Sequence, residues 1–139
     1  EEMPYFGQDL FLKSEAKGPL TDKTYLAAKA KARRLSRTEG LDKVLASKKV
    51  DALIAPSGGP AWLTDLVNGD YGTGGSSGPA AVSGYPSITV PAGFVRGLPV
   101  GVSFIGPAWS EGPLIAMAYA YEQRTQARRP PQFLPSALV

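Results

Sequence analysis

The sequence contains no cysteine and no histidine. Disulfides, thiol nucleophiles, imidazole bases, Ser-His-Asp triads and zinc sites built from Cys or His are therefore excluded within it. Acid–base chemistry on these residues falls to carboxylate, lysine, tyrosine or serine groups. Long apolar runs are also missing. None approaches the roughly 20 residues that a membrane-spanning helix needs, so no membrane partner is expected. The opening Glu1-Glu2-Met3-Pro4 is acidic where a secretory signal would be basic, which favours a cytoplasmic location. Its first residue is not Met, as expected of a piece of a longer protein.

Charge of either sign is scarce as well. Fifteen Lys and Arg against 12 Asp and Glu leave a net charge of +3. The excess gathers on Lys29 to Arg37 and at Arg128-Arg129. No aromatic residues interleave with it, so a nucleic-acid partner is not expected, and a solvated helix face accounts for it.

What is present suits one soluble domain. The chain has 139 residues, 43% of them hydrophobic and 19% charged, a balance that supports a packed core. Sixteen glycines and 13 prolines punctuate it. Residues 1–20, with Tyr5 and Phe6, read as an irregular lead-in. Thr21 or Asp22 is a plausible N-cap, and Tyr25, Ala28, Ala32 and Leu35 then recur at helical spacing between Lys29, Lys31, Arg33, Arg34 and Arg37. Gly40 interrupts this amphipathic helix, and Leu41, Val44 and Leu45 carry a helical pattern on to about Lys48.

Asp51-Ala52-Leu53-Ile54-Ala55-Pro56 is a short apolar run closed by proline, the pattern of a strand buried on both faces. Residues 57–78 form a long glycine-rich loop, which Trp62, Leu63, Leu66 and Val67 are expected to anchor. Pro79 suits the first turn of a short helix, Ala80 to Ser83. Ser87 to Val90 reads as a strand. Val100, Val102 and Phe104 alternate with Gly101, Ser103 and Ile105 in another, with Arg96-Gly97 as a hairpin turn between them. Ser110 is the expected cap of a last helix whose buried stripe is Leu114, Met117, Ala118 and Tyr121. A proline-rich tail runs over 127–139.

The run Gly74-Gly75-Ser76-Ser77-Gly78 admits three readings. As a nucleophile loop it would gather backbone N–H groups around an oxyanion beside an attacking serine. A serine needs a base, and without histidine that base would be a lysine kept neutral by burial. Every lysine here (Lys13, Lys17, Lys23, Lys29, Lys31, Lys43, Lys48 and Lys49) lies in a polar segment or on an exposed-looking helix face. As a phosphate cradle the run lacks the P-loop lysine and does not follow a strand. As a structural loop it packs closely through its glycines before Pro79 opens a helix.

Five patterns in order resemble the C-terminal part of the amidase-signature family. Phe6-Gly7-Gln8-Asp9-Leu10 is similar to an FGQE-type segment, and Asp51 to Ser57 to the DALxxPT strand. Ser83 to Gly93 resembles AGxPxxxxPxG, and Gly97 to Gly106 resembles GLPVGLQxIG. Glu111 to Glu122 is similar to the closing helix with its Tyr-Glu pair. Gly59-Pro60-Ala61-Trp62 and Val67-Asn68-Gly69-Asp70 most resemble bacterial amidases related to peptide amidase. The resemblance implies an α/β fold, a mixed sheet flanked by helices, of which residues 1–139 supply the C-terminal portion. It also implies carboxamide hydrolysis by a Ser-cis-Ser-Lys triad, with loop amides holding the oxyanion, and no cofactor or metal. In the family the GGSSGG signature, and a second Gly-Gly-Ser after it that carries the nucleophile, lie N-terminal to these segments. Here Gly-Gly-Ser occurs once, at 74–76, so no catalytic residue is placed in this chain. Trp62, Tyr71, Ser76 and Ser77 are the expected substrate-wall residues, for a small-molecule or peptide amide. The missing N-terminal half, or a second copy, is the expected partner. Two alternatives stay open: a non-catalytic binding module derived from the fold, and a small serine hydrolase using Ser76 or Ser77 with a lysine.

Overall fold

A computed structural model describes residues 7–133; Tyr5, Phe6 and the end of the tail, 134–139, lie outside them. The chain divides into two compact units, Glu1–Ala32 and Arg33–Val139.

In the first unit, α1 spans Asp9–Glu15, where the sequence suggests an irregular lead-in. Its apolar residues Leu10, Phe11 and Leu12 are consecutive and give no stripe to read. The helix rests on local contacts: Lys13 Nζ lies 3.5 Å from Asp9 Oδ2, and Ser14 Oγ donates to the Leu10 carbonyl at 2.8 Å. No residue of α1 is buried.

Helix α2, Lys23–Ser36, begins at Asp22, whose Oδ1 accepts the N–H of Thr24 at 2.8 Å and of Tyr25 at 3.0 Å. The Tyr25 and then the Thr24 N–H hold the Asp22 carboxyl below its ordinary 3.8. A depressed carboxyl contributes stability above that ordinary value and loses it as pH falls, so the cap fades in acid. No residue of α2 is buried: Tyr25, Leu26 and Leu35 are each two-fifths to one-half exposed. The expected apolar stripe exists, but nothing among the described residues covers it.

In the second unit a π-type turn, Arg37–Leu41, kinks at Gly40 (φ −105°, ψ −106°) before α3, Asp42–Lys48. Strand β1 is Leu53–Pro56, α4 is Ser77–Ser83, β2 is Ser87–Val95, β3 is Leu98–Ile105 and α5 is Glu111–Thr125. The three strands pair antiparallel in the order β1-β3-β2. Val95 and Leu98 flank the two-residue hairpin turn. Arg96 and Gly97 both take positive φ, +49° and +81°, the geometry that matches strand twist, with Gly97 adopting it at no steric cost.

Successive strand residues face opposite ways, and the two neighbours Phe104 and Ile105 show helices on both sides of the sheet. Ile105 packs with Leu41 and with Ala80 of α4, edged by Leu53 and Tyr85. Phe104 meets Tyr121 of α5 edge-on, centroids 5.9 Å apart. Leu114 and Ala118 are the buried residues of α5, on the expected stripe.

Four expectations need correction. β1 is not buried on both faces: burial alternates along it and Ile54 is 59% exposed, because β1 is an outer strand with one covered side. Trp62, Leu63, Leu66 and Val67 do not anchor their loop; they range from 47% to 92% exposed. α4 starts at Ser77, so Ser77 and Gly78 belong to the helix. Ser110 sits at the N-cap of α5, but its hydroxyl donates to the Pro107 carbonyl at 2.7 Å and caps no helix N–H.

A polar clasp closes the covered face. Tyr85 Oη donates to Asp42 Oδ1 at 2.8 Å, and Arg37 lies 5.1 Å from the Tyr85 ring centre while its Nε donates to the Ser83 carbonyl at 2.6 Å. We expect Tyr85→Phe to cost about 1–2 kcal/mol, since the lost hydrogen bond is one to a carboxylate acceptor. Burial, then donation to Asp42, raises the Tyr85 hydroxyl above its ordinary 10.0. A raised folded value means the contribution is complete below pH 10.0 and is lost as pH climbs past it. Urea unfolding across the alkaline range checks this: the wild type should lose the Tyr85→Phe difference at high pH, and a constant difference would contradict it.

Candidate functional site

The loop between β1 and α4 is tied at its neck. Ser57 N–H donates to the Gly101 carbonyl at 2.9 Å, continuing β1 along β3, and Ser76 N–H donates to the Ser57 carbonyl at 3.3 Å. Gly58 and Gly75 form an antiparallel bridge beside it. The approach is close enough that a Cβ on Gly75 would lie 2.6 Å from the Ser57 carbonyl oxygen.

Beneath the neck three hydroxyls form a closed knot. Ser57 Oγ lies 2.7 Å from Ser103 Oγ and donates to Thr89 Oγ1 at 3.3 Å, and Thr89 Oγ1 lies 2.8 Å from Ser103 Oγ. Strand pairing brings Thr89 opposite Ser103, and Ala55 opposite Ser103 on the other edge, so β3 supplies the knot's centre. Ser103 is buried and satisfied by its two partners. The alternating pattern of β3 separates Ser103 from Phe104 in the sequence, but it points to no partner for the hydroxyl.

Ser76 differs from these hydroxyls. Its Oγ is shielded from solvent and has no hydrogen-bond partner among the described residues, an arrangement that is uncommon and costly. Ser76 lines an open cleft of about 550 Å³ with Ala55, Pro56, Gly58, Pro60 and Thr73. Among the described residues none that lines the cleft is ionisable, so they offer no base to deprotonate a serine. Among the described residues no group of His, Cys, Asp or Glu could hold a metal.

The four expected wall residues fall in two places. Ser76 and Ser77 are neighbours where the neck enters α4. Trp62 and Tyr71 lie out on the loop, 47% and 78% exposed, and Trp62 Cη2 lies 3.9 Å from where a Gly72 Cβ would sit. Between them Asp65 closes a turn, its Oδ1 accepting the N–H of Val67 at 2.8 Å and Asn68 at 2.9 Å. The Asn68 N–H and side-chain amide, then Val67, hold the Asp65 carboxyl below its ordinary range. We expect Ser76→Ala to leave folding stability unchanged or to raise it by up to about 1 kcal/mol, because a buried hydroxyl without a partner is a net cost. A loss above about 1 kcal/mol in urea unfolding would show that this hydroxyl is bonded.

Comparison with known proteins fits this architecture. The peptide amidase from Stenotrophomonas maltophilia superposes with a TM-score of 0.84 at 52% identity, over 92% of this chain and 26% of that one. An amidase family protein from Bacillus anthracis superposes with a TM-score of 0.68 at 32% identity, over 92% of this chain and 22% of that one. A probable amidase of Arabidopsis thaliana is 36% identical over 96% of this chain and 23% of its own length. The chain thus spans about a quarter of the length of these relatives. The family model described as Amidase matches residues 10–115, and with the strands, the start of the closing helix and the neck all inside that match, the chain belongs to the amidase family.

Proposed function

We propose that these residues are the C-terminal part of an amidohydrolase that cleaves carboxamide bonds, and that its Ser-cis-Ser-Lys triad is supplied by polypeptide outside them. The observation that carries this reading is the family match combined with a serine cleft that contains no base. In the proposed reaction the lysine accepts a proton from the bridging serine, which takes one from the nucleophile. The nucleophile adds to the amide carbon, ammonia or an amine leaves with a returned proton, and water cleaves the acyl-enzyme to the free acid. Here the part of this chain is to form a wall for a peptide or small-molecule amide: Trp62 and Tyr71 offer apolar and aromatic surface, Ser77 offers an exposed hydroxyl, and Ser76 lines the cleft with its hydroxyl turned away from solvent.

The rest of the protein is also the proposed partner for the uncovered surfaces. β1 and β2 each have an unpaired outer edge among the described residues, and Ile54, Trp109 and Ile115 are 59%, 91% and 58% exposed. Open edges and bare aromatics of this kind are normally covered.

Ammonia release from an amidated peptide tests the reading. The polypeptide of natural length should release it, residues 1–139 alone should not, and Ser77→Ala should raise KM several-fold while leaving kcat within about twofold. A full-length protein inert toward carboxamides would overturn the assignment.

A further inference from the structure

On the far side of the hairpin the chain forms a second groove, of about 620 Å³, between the tip of β2–β3 and the segment that follows α5. Its lining includes Phe94, Arg96, Arg128, Arg129, Pro130 and Phe133. Its volume falls in the roughly 300–1,000 Å³ range of small-molecule sites. The Arg129 guanidinium lies 4.9 Å from the Phe94 ring centre, so a cation of the segment after α5 rests against an apolar ring of the hairpin.

The charge of the groove is one-sided. Among the described residues three arginines line it and no acidic residue does. The ion pairs among the described residues are Lys13 with Asp9 and Arg34 with Glu39, so none of the three is neutralised there. A guanidinium presents a planar fork that matches a carboxylate with two parallel hydrogen bonds. Phenylalanine and proline surfaces beside it suit an apolar body. The turn that carries Arg96 holds it at φ +49°, which fixes its backbone relative to Phe94 across a two-residue span.

We propose that this groove is a binding site for small organic carboxylates that carry an aromatic or aliphatic body. The guanidinium groups of Arg96 and Arg129 receive the carboxylate, and Phe94, Phe133 and the prolines receive the body. A neutral analogue of the same shape keeps the apolar contacts and loses the charge-assisted bonds. This site is separate from the cleft at Ser76 and shares no lining residue with it.

The test is equilibrium binding of phenylpropionate and of its neutral counterpart phenylpropanol to the full-length polypeptide. Neither probe contains an amide, so the result does not depend on amidase activity. The carboxylate should bind at least about tenfold tighter than the alcohol and weaken as salt is raised. The pair Arg96→Gln with Arg129→Gln should abolish that preference, while Arg96→Lys with Arg129→Lys should retain part of it. The arginines are exposed, so far-UV circular dichroism should be unchanged in both. Equal affinity for the two probes, no binding up to about 10 mM, or carboxylate binding that survives the glutamine pair would each overturn the site.

Discussion

Replacing Leu114 with alanine should lower folding stability by about 3 kcal/mol, the largest loss expected from any single truncation in the second unit. Leu114 is 2% exposed. Its two methyl groups lie 3.2 Å from where a Cβ on Gly106 would sit, so the helix start and the end of β3 meet at this side chain. Only seven apolar residues are buried among the described ones, which leaves few neighbours able to move into the vacated volume. The lost transfer energy and the cavity therefore add. Urea unfolding should show a lower midpoint with an unchanged slope, and the melting temperature should fall by more than about 10 °C. A loss below about 1 kcal/mol would mean that α5 is not held through Leu114.

Gly75→Ala should open the neck of the loop and cost about 1–3 kcal/mol. The added methyl would lie 2.6 Å from the Ser57 carbonyl oxygen, which belongs to the backbone and cannot rotate away. That oxygen accepts the Ser76 N–H, and Gly75 pairs with Gly58, so relieving the overlap separates the two sides of the neck. Protease cleavage within residues 57–76 should accelerate along with the stability loss. Gly72→Ala is the control. Its nearest contact is Trp62 Cη2 at 3.9 Å, so it should leave both readouts unchanged. Equal behaviour of the two variants would contradict a closed neck.

The parts of the fold that are legible in the sequence have a short-range period. Alternation in Val100 to Ile105, the Arg96-Gly97 turn and the Leu114, Ala118, Tyr121 spacing each reflect contacts set by neighbouring residues, and the hairpin and α5 follow them. Asp22 is readable as a cap for the same reason. Other features depend on distant chain. An apolar run such as Leu53 to Ala55 shows that both sides of a strand avoid water, but not whether this chain supplies both covers. Ile54 remains 59% exposed because it does not. Hydrophobicity alone marks Trp62, Leu66 and Val67 as anchors, yet all three are exposed, Leu66 and Val67 on the turn that Asp65 closes. The knot of Ser57, Thr89 and Ser103 needs strand register, which no local pattern encodes, and the shielding of Ser76 Oγ needs the neck. For the site, the absence of histidine shows from the start that these residues supply no imidazole base, whereas the pairing of Ser76 with an apolar cleft emerges only in three dimensions.

The central proposal, that the full-length protein hydrolyses amides with a nucleophile outside these residues, is tested most directly by labelling the full-length protein with a fluorophosphonate and mapping the adduct by peptide mass. A single modified serine outside residues 1–139 is the expected result, with labelling unchanged in Ser76→Ala and Ser77→Ala. An adduct on Ser76 or Ser77, lost in the matching alanine variant, would contradict it.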